Sequence, residues 1–206
     1  MIDFTLIALF IPTFFIVSIT PGMCMTLAMT LGMSIGVRRT LFMMQGELLG
    51  VATVAIAAVI GVSAVMLQYP MAFTALKIAG AMYLAYIGVN MYLSKGKLAI
   101  SEHNSSDIKS NSGLFYQGYI TAIANPKGWA FMVSLLPPFI NDNLALAPQL
   151  SLLIAIILLS EFICMMIYAT GGKTVGKVLT QKNNVQLLNR ISGCLMIGVA
   201  IWLALS

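Results

Sequence analysis

Residues 4–35 carry no charged side chain, and the middle of this run holds Ser18-Ile19-Thr20-Pro21-Gly22-Met23. A straight α-helix over the run would be roughly 48 Å long at about 1.5 Å per residue, well beyond a hydrocarbon core of about 30 Å. The run must therefore break, tilt or end inside. Proline lacks a donor and clashes with the preceding turn, and glycine beside it lowers helix propensity, so the backbone is expected to open at Pro21-Gly22. In lipid, freed backbone groups must be satisfied by protein or by a water-filled cavity. The break is thus either a kink in a packed helix or one wall of a binding site, and this feature alone leaves both readings open.

Composition sets the solvent. Of 206 residues 60% are hydrophobic and 8% charged, against about a quarter charged in soluble domains. Mean hydropathy is +0.96, which makes the chain an integral membrane protein. Its apolar runs are too long for the short alternating strands of a barrel. The net charge is +5, but the basic residues gather at the ends of apolar runs, where membrane topology accounts for them without a nucleic-acid partner. Asp3 stands where a signal peptide would be basic and no small-residue cleavage site follows, so the first segment is expected to stay as a span. Cys24, Cys164 and Cys194 lie in apolar segments without C-x-x-C spacing. They are expected to be small core residues, with no disulfide, metal site or cofactor.

Six helical spans are expected, over residues 4–35, 41–67, 71–93, 114–140, 144–170 and 185–205. Alternate connectors are basic: Arg38-Arg39, then Lys95, Lys97 and Lys109, then Lys173, Lys177, Lys182 and Arg190. The connectors at residues 68–70 and 141–143 have no positive charge, so the basic set is placed in the cytoplasm and both termini in the periplasm. Residues 95–112, rich in serine and asparagine, read as a cytoplasmic linker between a first three-helix repeat (1–94) and a second (113–206). His103 in that linker is the only histidine and is given no role.

The halves share features in the same order. Lys77-Ile78-Ala79-Gly80 resembles Arg190-Ile191-Ser192-Gly193, and Gly46-Glu47 resembles Ser160-Glu161. A proline break heads each half, Pro21-Gly22 in the first and Asn125-Pro126-Lys127-Gly128 in the second. Three spans per half is an odd number, so the second half enters the membrane in the opposite sense. The expected fold is therefore an all-α integral membrane protein of six transmembrane helices, built as two inverted three-helix repeats whose first and fourth helices are broken.

Charge inside a membrane needs a reason, because it costs roughly 2.5–3.5 kcal/mol on insertion scales. Glu47, flanked by Gly46 and Gly50, reads either as a proton-relay or amine-binding carboxylate or as an interfacial glutamate paired with Arg38 or Arg39. Glu161 is deeper, with no charge near it in sequence. Lys127 follows the second break too deep to reach the interface, and is expected to pair with Glu47 or Glu161. A cation and carboxylates beside opened backbone suit a zwitterion. Lys77 is closer to an outer connector and reads better as a snorkelling side chain. Met23, Met25, Met29 and Met33 beside Cys24 read as apolar filler before a soft-metal stripe.

These residues bear a family resemblance over nearly the whole chain. Ser18 to Gly36 followed by Arg38-Arg39, the stretch Leu76 to Gly88, and Asn125 to Phe131 running on to Leu136-Pro137-Pro138-Phe139 resemble the first, third and fourth spans of LysE/RhtB-type amino-acid exporters. Met23 stands where many members have a second proline, Glu47 where an apolar residue is usual, and Pro138 where glutamine is frequent. The resemblance implies a bacterial inner-membrane exporter of amino acids or similar metabolites, driven by proton antiport.

The function expected is therefore secondary export of a small zwitterion by alternating access, with no enzymatic chemistry. Pro21, Gly22, Glu47, Asn125, Pro126, Lys127 and Glu161 are the expected site, and Gly46, Gly50 and Lys77 lesser candidates. Its partners would be the amino-acid substrate and the lipid bilayer, and the sequence also allows a homodimer. Two other classes stay open: a thiol redox carrier using Cys24 beside the break, and a metal-ion exporter using the methionines.

Overall fold

The first apolar run does break where proline and glycine predict. A computed structural model describes residues 4–68, 70–94, 110–136, 139–141, 144–172 and 182–205. It places α1 at Phe4–Ile19 and α2 at Met23–Ser34, bent by 57° across the break. Gly22 is the N-cap of α2 in extended conformation (φ −133°, ψ −173°). Gly36, at φ +82°, turns the chain into α3, a left-handed conformation that side chains with a Cβ rarely adopt. α3 (Val37–Gln68) and α4 (Pro70–Leu93) follow. Arg38 and Arg39, expected in a connector, lie instead in the first turn of α3.

The second half opens on α5 (Asn111–Ile123), whose N-cap Ser110 accepts from the Gly113 amide at 3.0 Å. α6 (Pro126–Leu135) begins after a second break, with Asn125 as N-cap and Pro126 in its first turn, the position where a missing N–H costs nothing. α7 (Leu146–Thr170) and α8 (Lys182–Leu205) complete the chain. Lys182 and Arg190, expected in a connector, are helical. The expected linker charges, His103, Lys173 and Lys177 lie outside the described residues, as does the side chain of Lys77.

Two buried clusters organise the packing. One joins Phe10, Phe14 and Val17 of α1 with Val54 and Ala58 of α3, Phe131 and Met132 of α6, and Leu153 and Ile157 of α7. The other joins Met25, Ala28 and Met29 of α2 with Met43 and Met44 of α3, Leu114 of α5, and Cys164, Met165 and Tyr168 of α7. Each broken pair thus gives one limb to each cluster, α1 and α6 to the first, α2 and α5 to the second. Both breaks fall at the boundary between the clusters.

Glycines set several close helix crossings. A Cβ on Gly46 would strike the Phe115 backbone, one on Gly118 the Met43 carbonyl, and one on Gly50 would lie 2.7 Å from the Ala122 Cβ, so α3 and α5 touch backbone to backbone. Gly88 of α4 and Gly193 of α8 meet in the same way. The outer surface is apolar: Leu9 is 55% exposed, Ile60 64% and Leu159 61%. A surface of that kind belongs in lipid. Cys194, expected in the core, is on this exposed face. Among the described residues there is no strand. Among those residues two helical stretches, Val37–Gly61 and Leu146–Thr170, are long and apolar enough to cross a membrane, and bent α1–α2 makes a third.

Candidate functional site

The first break frees the carbonyls at the end of α1, and the rest of the chain supplies their donors. Thr20 Oγ1 donates to Ile16 O at 3.0 Å, Lys127 Nζ donates to Val17 O at 3.0 Å and Thr20 O at 3.3 Å, and Tyr168 Oη donates to Ile19 O at 2.8 Å. Thr20 Oγ1 also shares a 2.6 Å hydrogen bond with Ser192 Oγ. Since the single Thr20 hydroxyl proton goes to Ile16 O, Ser192 is the donor there. Side chains from α6, α7 and α8 therefore fasten the end of α1. An ammonium at the carbonyl end of a helix is also favoured by the helix dipole.

The second break is satisfied locally. Asn125 Oδ1 accepts from the Lys127 amide at 3.1 Å, and the Trp129 indole donates to Ile123 O at 2.8 Å. Asn125 then has its Nδ2 free to reach Cys24 Sγ at 3.6 Å across the gap. In contrast, α2 starts without a side-chain cap, and the N–H groups of a first helical turn have no carbonyl of their own helix to bond.

Between the breaks lies a cavity of about 50 Å³ as available to water centres. At about 10–15 Å³ per water, this holds roughly three to five waters or the polar end of a small metabolite. Ser18, Thr20, Gly22 and Cys24 line it from the first break, Asn125, Lys127 and Gly128 from the second, Glu47 from α3 and Glu161 from α7. Phe14, Val51, Val54, Phe131 and Met132 form its apolar wall. Ser18 Oγ donates to Glu161 Oε1 at 2.8 Å. Glu47 is 1% exposed, and neither of its carboxyl oxygens has a hydrogen-bond partner.

Of the residues expected from sequence, Gly22, Glu47, Asn125, Lys127 and Glu161 come together on this cavity. Pro21 and Pro126 make the breaks without lining it, and Gly46 and Gly50 serve the α3–α5 contact. Two expectations are corrected. Lys127 gives its hydrogen bonds to the carbonyls freed at the first break and not to Glu47 or Glu161, so that Glu161 meets it only as a neighbouring charge. Glu47 is not an interfacial partner of an arginine: it is buried without a hydrogen bond, some nine residues along α3 from Arg38. Ser18 and Thr20 stood in the opening motif without a role, and Tyr168 and Ser192 had no local signal, since their partners lie 149 and 172 positions away.

The LysE type translocator family matches residues 15–206. The chain belongs to that family. It is a membrane translocator and not an enzyme, as expected from sequence. Similar proteins include an uncharacterized membrane protein of Vibrio cholerae, 27% identical over 91% of this chain and 90% of its own. A homoserine/homoserine lactone efflux protein of Salmonella typhimurium is 25% identical over 92% of this chain and 91% of its own. A leucine efflux protein of an Enterobacter species is 28% identical over 93% and 90%. No solved structure matches the chain significantly.

Proposed function

We propose that the chain exports an amino acid or similar zwitterion across the bacterial inner membrane by proton antiport and alternating access. The observation that carries this is Lys127 of the second break lying against the first break, over a cavity that also holds Glu47 and Glu161. The named efflux relatives support the substrate class.

The chemistry follows from charge. A carboxylate on the cavity that holds a substrate ammonium can instead take up a proton, and once protonated it no longer holds the ammonium. Occupancy by one then excludes the other, which is the requirement for antiport. The substrate carboxylate has two attractors, the Lys127 ammonium and the uncapped first turn of α2 beside Gly22. Lys127 Nζ keeps a third N–H beyond those given to Val17 O and Thr20 O, and a carboxylate taking it draws the ammonium away from those neutral carbonyls by its charge. Binding would loosen the fastening of α1, coupling substrate to a change in which side of the cavity is open.

Inverted three-helix repeats around these two breaks suit such a carrier. The sharing of limbs between the two clusters supports the repeat, as does the length of α4 and α8 at 24 residues each, roughly 36 Å at about 1.5 Å per residue. With the arginine-bearing start of α3 in the cytoplasm, both termini are periplasmic. The thiol-carrier alternative needs a cysteine partner for Cys24, whose neighbours across the cavity are Asn125 and Glu47.

Proteoliposomes loaded with labelled leucine or homoserine provide the test. Glu161→Gln should keep substrate exchange, which needs no proton, and lose net transport driven by a pH gradient. Unchanged pH-driven transport in Glu161→Gln would remove Glu161 from the coupling, and absence of exchange of either substrate by the wild type would remove the substrate class.

A further inference from the structure

Among the described residues, five buried side-chain atoms lack a hydrogen-bond partner, and they belong to three residues: Thr26 of α2, Glu47 of α3 and Gln117 of α5. All three side chains are more than nine-tenths buried, at 6%, 1% and 9% exposure. Buried polar atoms are almost always bonded, to protein or to internal water, and leaving one bare costs about 1–3 kcal/mol. Three such residues on helices that pack together point to water.

Their three helices meet. α2, α3 and α5 pack on one another. Gly118, next to Gln117, lies so close to α3 that a Cβ there would sit 2.9 Å from the Glu47 amide, so Gln117 is level with Glu47. Leu114, one turn before Gln117, shares a buried cluster with Met25, adjacent to Thr26, and with Met43 and Met44, one turn before Glu47. Glu47 lines the cavity, whereas Thr26 and Gln117 do not. Thr26 is one turn beyond Gly22 toward Ser34, and Gln117 is about 7.5 Å before Ala122 toward Asn111. Both displacements point to the same membrane face, the one where α2 ends and α3 and α5 begin.

We propose that Thr26, Gln117 and Glu47 enclose internal waters that carry a proton between Glu47 and that face. The Glu47 O–H bond breaks, its proton passes to the adjoining water, each water hands on one of its own, and the last reaches bulk solvent, leaving Glu47 a carboxylate. The hydroxyl and amide solvate the waters and are not themselves ionised. Titratable groups facing Glu47 are Cys24 from α2 and Glu161 from α7, with Lys127 of α6 on the same cavity; α5 offers it no charge, nor does α4 among the described side chains. The direction of flow rests on the antiport reading above, but the water path does not.

Infrared spectroscopy of the purified full chain tests it. The carboxylic C=O band that Glu47→Gln removes should move to its deuterated position rapidly on transfer to D2O. In Thr26→Val and Gln117→Leu it should do so ~10-fold or more slowly, because the solvating groups are gone. Thr26→Ser should exchange at the wild-type rate. Since no protein hydrogen bond is lost, the apolar variants should unfold at or above the wild-type temperature, and Gln117→Met serves if leucine does not fold. Wild-type exchange rates in the apolar variants overturn the proposal, as does the absence of any band that Glu47→Gln removes. A pH-sensitive dye inside leucine- or homoserine-loaded vesicles separates the two readings: substrate movement without proton movement ends antiport, and leaves the infrared result standing.

Discussion

Gly22 shows how much one missing Cβ can carry. Its backbone is extended and open to any residue, and a Cβ there would meet Lys127 Nζ at 3.7 Å and Cδ at 3.8 Å, ordinary contact without strain. What the methyl group would obstruct is the approach of a carboxylate to the ammonium and to the first turn of α2. Gly22→Ala is therefore expected to leave the unfolding temperature unchanged and lower exchange of leucine or homoserine roughly 10- to 100-fold, as misplacement by about 1 Å can. A variant with wild-type exchange would place the carboxylate elsewhere. The glutamates differ at the same scale. Glu161 is held by Ser18, whereas Glu47 has, among the described residues, only the Cys24 thiol facing it as a donor, so Glu161 has a fixed orientation and Glu47 is the one open to water.

At the scale of elements, α3 and α5 form the most closely approached pair, and their contact has no room for side chains. Gly46→Ala would drive a methyl group into the Phe115 carbonyl, where backbone cannot yield as a flexible side chain would. Overpacking of this kind costs about 1–3 kcal/mol, so the variant is expected to unfold at lower temperature and denaturant, while Gly61→Ala, with open space around it, is not. Equal stability of the two would mean that α5 shifts readily on α3. Sequence reasoning had the broken helices right to within a residue or two, and it offered Gly46 and Gly50 as lesser site candidates where the fold uses them for close packing. It misplaced the helix starts at Arg38 and Lys182, because a charged residue reads as connector in a hydropathy argument, yet nothing stops it extending a helix beyond the apolar core.

For the whole molecule, the distribution of charge sets the orientation proposed above. Placing the arginine-bearing end of α3 in the cytoplasm puts both termini on the opposite side. In a background lacking Cys24, Cys164 and Cys194, a membrane-impermeant maleimide should label Ser206→Cys in intact cells and Ser105→Cys only after lysis. The reverse pattern would invert the whole arrangement, including the face to which the Thr26–Gln117 path leads.

Sequence alone determined the solvent, the helical class and the two points where the backbone opens. These are local or summed properties: an uncharged run too long for the bilayer, a proline beside a glycine, a charge fraction of 8%. Only the tertiary structure decided what satisfies the opened backbone. The carbonyls of Val17, Ile19 and Thr20 are bonded by Lys127 and Tyr168, more than a hundred residues away, and Ser192 reaches the Thr20 hydroxyl. Sequence predicted a glutamate for Lys127 because it compares charges; the fold chose carbonyls because hydrogen bonding is short-ranged and the end of α1 is what packing brings within 3 Å.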